Sequence, residues 1–192
     1  MGNPNFDFLK SKFHVSKETF LILKNLASIR KLKTGEDIVK QGGKSNKIAF
    51  LTSGLMRAYC TLESGKEITK NIFKPIGFVG GFSSIVKNEP SLLCYEALVD
   101  SIVYEVNFEE FIKTSKTNIQ ISNLYNRILE YIFIGYETKQ LESMSLNATE
   151  RYIVLKKQIP NIDNLIPQYQ IASYLNISPV QLSRIRKTLK RF

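Results

Sequence analysis

One histidine and two cysteines in 192 residues exclude several chemistries at the outset. A metal-dependent jelly-roll enzyme needs about three clustered His and carboxylate ligands, and His14 cannot supply them alone. Cys60 and Cys94 cannot make a four-thiolate cluster; so far apart in sequence, they read as small buried side chains in a reducing compartment. His14, just before Ser16 and Lys17, reads as a surface residue. Nucleophilic catalysis lacks its parts, because His14 is distant from either cysteine and no Gly-x-Ser-x-Gly elbow occurs. No segment approaches the roughly 18 continuous apolar residues of a membrane helix, and MGNPNFDFLK lacks the charged-then-apolar layout of a signal peptide. Gly2 invites myristoylation, but Phe6 stands where that motif requires Ser or Thr. The expectation is a cytoplasmic protein of one or two domains, not an enzyme, with no catalytic residues, metal or cofactor.

Acidic residues are also scarce, and unevenly so. The chain carries 27 Lys and Arg against 17 Asp and Glu, a net charge of +10. Eight of the cations but only one acid, Asp163, fall within residues 151–192. A tail of that sign favours a polyanion through counterion release, with an affinity that falls steeply with salt.

The residues of that tail have an order. Ile171, Ala172 and Leu175 set one apolar stripe on a first short helix, with small Ala172 where a crossing helix approaches. Asn176 tolerates left-handed backbone for a tight turn, and Ile177 plugs the corner. Ser178 and Pro179 are a start signal, a capping hydroxyl followed by a ring suited to the first helical position. Leu182, Ile185 and Leu189 then pack inward while Ser183, Arg184 and Lys187 face away. This is the layout of a helix-turn-helix, whose second helix enters the major groove of double-stranded DNA. Ser178, Pro179, Val180, Gln181, Ser183 and Arg184 are the candidates for reading bases, with Gln168 and Gln170 at the start of the first helix beside them. Arg186, Lys187, Lys190 and Arg191 suit phosphates.

Two other textures precede the tail. SKETFLILKNLAS, residues 16–28, predicts a helix opened by Ser16 and pressed on a larger body. From Ile29 to about Val106 glycines punctuate short β-branched and aromatic runs, which predicts an antiparallel sandwich or barrel. Glu63-Ser64-Gly65-Lys66 is its clearest hairpin tip. A long helix follows from about Asn118 to Leu141, with Ile121, Leu124, Ile128 and Tyr131 at three-four spacing and Tyr125, Leu129, Ile132 and Tyr136 beside them. That band is wider than one neighbour requires. One side lies on the β body, and Ile121, Leu124, Tyr125, Ile128, Tyr131 and Ile132 are the candidates for pairing with a second copy; a two-fold protein then sets two reading helices one DNA turn apart.

Gly35-Glu36-Asp37-Ile38, Phe50-Leu51-Thr52-Ser53-Gly54 with Arg57, Gly65-Lys66-Glu67, Phe78-Val79-Gly80-Gly81 and Ile171 to Lys187, in this order and at these distances, resemble the Crp/Fnr family of bacterial transcription regulators. The resemblance covers nearly the whole chain. It implies an α+β protein: an N-terminal antiparallel, jelly-roll-like β-roll of cyclic-nucleotide-binding type over 1–117, a connecting and dimerisation helix over 118–142 and a helix-turn-helix domain over 143–192. It further implies homodimers, pseudo-palindromic operators and contact with RNA polymerase. Phe192 follows the reading helix almost at once, so the β-hairpin wing usual in the family is expected to be absent.

The sequence departs from that family in the phosphate cassette. Gly81 occupies the place of the ribose-binding Glu, and Ser91 or an apolar neighbour that of the phosphate-pairing Arg. No other residue there replaces the bidentate charge, and Lys87 is the cassette's one cation. Tight binding of cyclic AMP is therefore not expected. A pocket bounded by Gly80, Gly81, Phe82, Ser83, Ser84, Ser91 and Tyr95 is either empty or takes a less anionic ligand of unknown identity. Two Cys and one His fall short of an iron–sulfur sensor and leave little for haem. Two competitors remain, a β-roll enzyme, which lacks ligands, and an interaction module with an RNA-binding tail, which lacks an aromatic stacking platform.

Overall fold

A computed structural model describes residues 4–189. Helix α1 (Pro4–Phe13) is followed by α2 (Lys17–Leu26), whose N-cap Ser16 accepts from Thr19 N–H through its hydroxyl. The helix ends two residues before the expected 28, because Ala27 and Ser28 already belong to the first strand and pair with Val106 and Glu105. His14 is exposed.

Eight strands then build two antiparallel sheets: β1 (Ala27–Leu32), β2 (Asp37–Val39), β3 (Lys47–Ser53), β4 (Met56–Thr61), β5 (Glu67–Phe73), β6 (Gly77–Val79), β7 (Cys94–Ala97) and β8 (Ser101–Asn107). One sheet runs β1-β8-β3-β6 and the other β2-β7-β4-β5. Period-two alternation decides what each face meets. Leu32, Ala49, Leu51, Met56, Ala58, Val79, Tyr95, Ala97 and Val103 point between the sheets and are buried there. Phe50 and Phe78 point outward from the first sheet onto Leu9, Phe13 and Val15. The β4–β5 connection is the expected hairpin, with Gly65 at φ +79° and Leu62 N–H donating to Lys66 O at 3.0 Å. Glu105 is buried, yet its carboxylate is held at 3.0 Å by both Arg30 and Lys47, so the charge is paired on two sides.

A short helix, α3 (Phe82–Lys87), interrupts the strands, and α4 (Phe108–Thr117) follows the last of them. Neither is anticipated from apolar spacing. The local signal for α4 is its N-cap, since Asn107 Oδ1 accepts from Glu110 N–H. The long helix α5 (Ile119–Ser145) starts where expected, with Asn118 capping Gln120 and Ile121. It continues to Ser145, past the expected end, because no breaker intervenes before Asn147 opens the next helix with a reciprocal Asn147–Glu150 capping box. Helices α6 (Ala148–Gln158), α7 (Ile162–Leu165), α8 (Gln168–Tyr174) and α9 (Pro179–Leu189) complete the chain. Among the described residues no strand follows Asn107, and no helix is long and apolar enough to cross a membrane.

The last four helices do not have a core to themselves. Tyr152, Leu155, Ile159, Ile162, Ile166, Ile171, Ala172, Leu175 and Leu182 pack in one cluster with Leu55, Ile72 and Leu98 of the roll. Helix α8 lies on β5, where Thr69 N–H donates to Ser173 Oγ (2.9 Å) and that hydroxyl donates to Glu67 O (3.1 Å). Ile72→Ala, which empties a roll position of this shared core, is expected to destabilise the protein by about 2–5 kcal/mol. Urea unfolding followed by circular dichroism checks this, and a loss well under about 1 kcal/mol would contradict the shared core.

Candidate nucleic-acid interface

The reading element is built from the inside out. Ile171, Ala172, Leu175 and Leu182 are 0–2% exposed and fix α8 against α9, with Ile177, Ile185 and Leu189 packed at the margin. Asn176 sits at φ +54° in the turn. Ser178 Oγ accepts from Gln181 N–H at 3.2 Å, and Gln181 Oε1 accepts from Ser178 N–H at 3.0 Å. That reciprocal cap uses the Gln181 carbonyl and leaves its amide N–H groups facing outward chemistry. Ser178, Pro179, Val180, Gln181, Ser183, Arg184 and Lys187 are all exposed on one continuous side, as is Gln168 at the start of α8. Among the described residues, neither Arg184 nor Lys187 has a side-chain partner.

Two expected contacts are placed otherwise. Gln170 is buried, its amide N–H directed to Tyr169 Oη at 3.4 Å and its Oε1 without a partner, because its position on α8 turns toward the shared core. Arg186 lies against Asp163, Nε to Oδ1 at 3.4 Å, and is not free for phosphate. Asp163 also accepts from Tyr152 Oη at 2.7 Å and stands 3.5 Å from Lys156 Nζ. Burial first, and then this carboxylate, raise the Tyr152 pKa, so the phenol stays a donor. Lys190 lies outside the described residues.

Sequence reasoning misses Arg151. It donates to Ser143 O, Leu146 O and Leu175 O, tying the end of α5 to the end of α8. With Arg151, Lys156 and Arg186 engaged internally, the cations left outward on the described part of the tail are Lys157, Arg184 and Lys187. For Lys156 and Arg186 the signal is the tail's single acid, since Asp163 is drawn inward as the partner of both.

The cassette residues divide. Gly81, Ser84, Ser91 and Tyr95 are buried together: a Cβ on Gly81 would lie 2.7 Å from Ser84 Oγ, 3.3 Å from Ser91 Oγ and 3.6 Å from the Tyr95 ring. Ser84 donates to Gly81 O (2.8 Å) and Ser91 to Leu93 O (2.6 Å), so both hydroxyls are spent within the cassette. Gly80 lies instead beside Lys47 and Ile48 backbone, Ser83 is exposed and Phe82 turns out to meet Phe108 edge-on at 5.8 Å. The expected seven-residue pocket is therefore not one lining. Lys87 is exposed.

Elsewhere the sensor holds little reactive chemistry. Burial, with the Asp37 carboxylate 2.9 Å away, pushes the Cys94 thiol up to about 12, which keeps it protonated. Among the described residues no His, Cys, Asp and Glu cluster could hold a metal ion.

On α5 the expected pairing residues face home. Ile121 and Leu124 are 0–2% exposed within the protomer, Tyr131 meets Phe13 edge-on at 5.5 Å, and Tyr125 does the same with Phe111. Ile128 and Ile132 are half-buried. The apolar side chains left outward include Phe133, Ile134, Leu141 and Met144, each more than half exposed and on the opposite side of the helix, with Ile119 at its start.

Comparison with known proteins agrees with this architecture. Residues 29–118 match the cyclic nucleotide-binding domain family. The chain is similar to FixK2 of Bradyrhizobium japonicum (18% identity, TM-score 0.69, covering 86% of this chain and 85% of that one). It is similar to the c-di-GMP-responsive global regulator CLP of Xanthomonas campestris (14%, TM-score 0.69, 92% of each). A variant of CooA from Carboxydothermus hydrogenoformans superposes at a TM-score of 0.67 with 14% identity, over 100% of this chain and 86% of that one. No curated protein matches by sequence. The chain is thus similar to a cyclic nucleotide-binding domain over residues 29–118 and shares the α+β fold of these solved Crp/Fnr-type regulators.

At the positions where the family resemblance expects a carboxylate and a guanidinium, this chain has the buried Gly81 and Ser91. Calorimetric titration with cyclic AMP and cyclic GMP is expected to give no saturable heat at micromolar concentration. Binding of either at that strength would mean that the Gly81–Ser84–Ser91 packing opens.

Proposed function

We propose that this protein is a DNA-binding transcription regulator that acts as a homodimer and reads a pseudo-palindromic operator with α9. The observation that carries the reading is the outward side of that helix: it presents Ser178, Val180, Gln181, Ser183, Arg184 and Lys187 with no acid among them, while the tail's one carboxylate is turned inward. Arg184 suits a guanine edge and the Gln181 amide an adenine, while Lys187, with Gln168 at the start of α8, suits phosphate. The likeness to CLP, itself a global regulator, supports the same class.

Two-fold pairing runs through α5. Phe133, Ile134, Leu141 and Met144 form an apolar strip that a lone protomer would leave in water, and a helix of 27 residues, about 40 Å long, gives room for a parallel seam. Contact with RNA polymerase and a cytoplasmic location follow from this reading, as does control by a small ligand. Selection of bound sites from a random duplex pool tests it: an inverted repeat is the expected product, and no enrichment at low salt would overturn it.

Two sets of variants separate the roles. Arg184→Ala is expected to cost about 1–3 kcal/mol at the selected site and to relax one base position, whereas Lys187→Ala weakens all sequences alike and flattens the salt dependence. Fluorescence anisotropy on specific and random duplexes distinguishes them, and equal losses for Arg184→Ala on both would refute its role. Phe133→Glu with Ile134→Glu is expected to convert the dimer to a folded monomer in sedimentation. An unchanged sedimentation coefficient would place the seam elsewhere.

A further inference from the structure

A predominantly apolar cleft lies outside the cassette. It lies on the far side of the first sheet, bordered by α1, α2, the outer face of β3 and β8, α4 and α5 and half open to solvent, with a volume of about 170 Å³. Its walls include Phe50, Phe78, Phe111, Ile128 and Leu129. An apolar cleft of this size exposes hydrophobic side chains to water, which an apolar occupant would cover. An engineered apolar cavity of about 150 Å³ holds a benzene ring, which sets the scale of what fits here.

Four side chains on the lining, Asn5, Lys24, Tyr104 and Tyr125, are not apolar in the same way as the rest. Tyr104 and Tyr125 both border the void, and neither phenol has a hydrogen-bond partner among the described residues. Desolvation raises the Tyr125 pKa, which keeps its proton available for donation. Lys24, exposed in the last turn of α2, is the one charged residue on the lining among those described, and no acid accompanies it. Two phenols that reach solvent and one cation, with no acid among the described lining residues, border an apolar chamber and suit an apolar body with one anionic, hydrogen-bond-accepting end.

We propose that this chamber is a binding site for a small hydrophobic monocarboxylate, with a body about the size of a benzene ring or a short acyl chain. The apolar part occupies the space between Phe50, Phe78, Ile128 and Leu129, and the carboxylate accepts from a Tyr104 or Tyr125 hydroxyl or lies near the Lys24 ammonium. The site shares no group with the reading face of α9, so its existence does not depend on DNA binding. Because Ile128 and Leu129 belong to α5, an occupant packs that helix against the roll.

Benzoate and hexanoate are the probes, with benzyl alcohol as the neutral comparison, titrated calorimetrically into the full chain without DNA. Saturable binding of one molecule per protomer is expected for both acids, with a concentration-dependent rise in melting temperature. Leu23→Phe and Leu129→Phe each fill the chamber from a different helix and are expected to abolish it. Lys24→Ala, at an exposed position, is expected to weaken the acids by up to about fivefold while leaving benzyl alcohol unchanged. In the unmodified protein, nuclear Overhauser contacts from benzoate protons to the Tyr104 and Tyr125 rings report the site directly, whether or not a filled variant folds. No saturable binding at millimolar probe, unaltered binding in folded filled variants, or a saturated sample without those contacts would each overturn the proposal.

Discussion

The structure depends on one shared desolvation. Leu55, Ile72 and Leu98 of the roll project into the same cluster that holds Ile171, Ala172, Leu175 and Leu182 of the reading element. Four short helices, the longest 11 residues, bury too little on their own to be comfortably stable. Seated on the roll, they gain a third surface, and the orientation of α9 becomes a property of the sensor's outer face. The Ser173 hydroxyl fixes the register of that seat, since it both accepts from Thr69 and donates to Glu67 on the same strand. A displaced α8 would leave three polar groups with partners to find.

Charge is distributed by the same logic. Asp163 is 13% exposed at its side chain and gathers Tyr152, Lys156 and Arg186, so the inner part of the basic tail is neutralised where water is scarce. What remains outward is positive without an opposing acid, the condition under which phosphate attraction is undiluted. In the roll, Arg57 is treated in the same way: buried between Glu67 and Glu96 at 2.6 Å each and lying over the Tyr59 ring, it has no freedom to meet an anion. A buried Arg with two carboxylates is a structural tie, and losing either partner would leave charge stranded.

Much of this was legible in the sequence because the signals were local. Asn176 in left-handed backbone, Ser178 as a cap, Pro179 at the first helical turn, Gly65 in its hairpin and Asn118 before α5 each act within four residues, and each is found where the side chain's chemistry puts it. The departures in the placement of site residues on α5, α8 and α9 share a cause, which is tertiary contact. Periodicity shows that α5 has apolar residues on more than one side, but which side meets the roll depends on Phe13, more than a hundred positions away. Gln170 and Arg186 likewise carry DNA-suited side chains; only the location of Ile72 and of Asp163 turns them inward. The seven cassette residues are contiguous in meaning but not in space, because α3 begins at Phe82 and carries its first two side chains away from Gly81.

The cassette is packed around two small residues, with its hydroxyls satisfied from within. Gly81 leaves room that Ser84, Ser91 and Tyr95 occupy, and both serine hydroxyls find backbone carbonyls inside the loop. A buried cluster with its hydrogen bonds internally satisfied has no unmet demand for a ligand, whereas a carboxylate or guanidinium at the same positions would be stranded without one. The contrast with the far side of the first sheet is direct. There, two phenols that reach solvent border a half-open apolar cleft, so the space open to a ligand lies on the surface the roll shares with α5 rather than inside the roll.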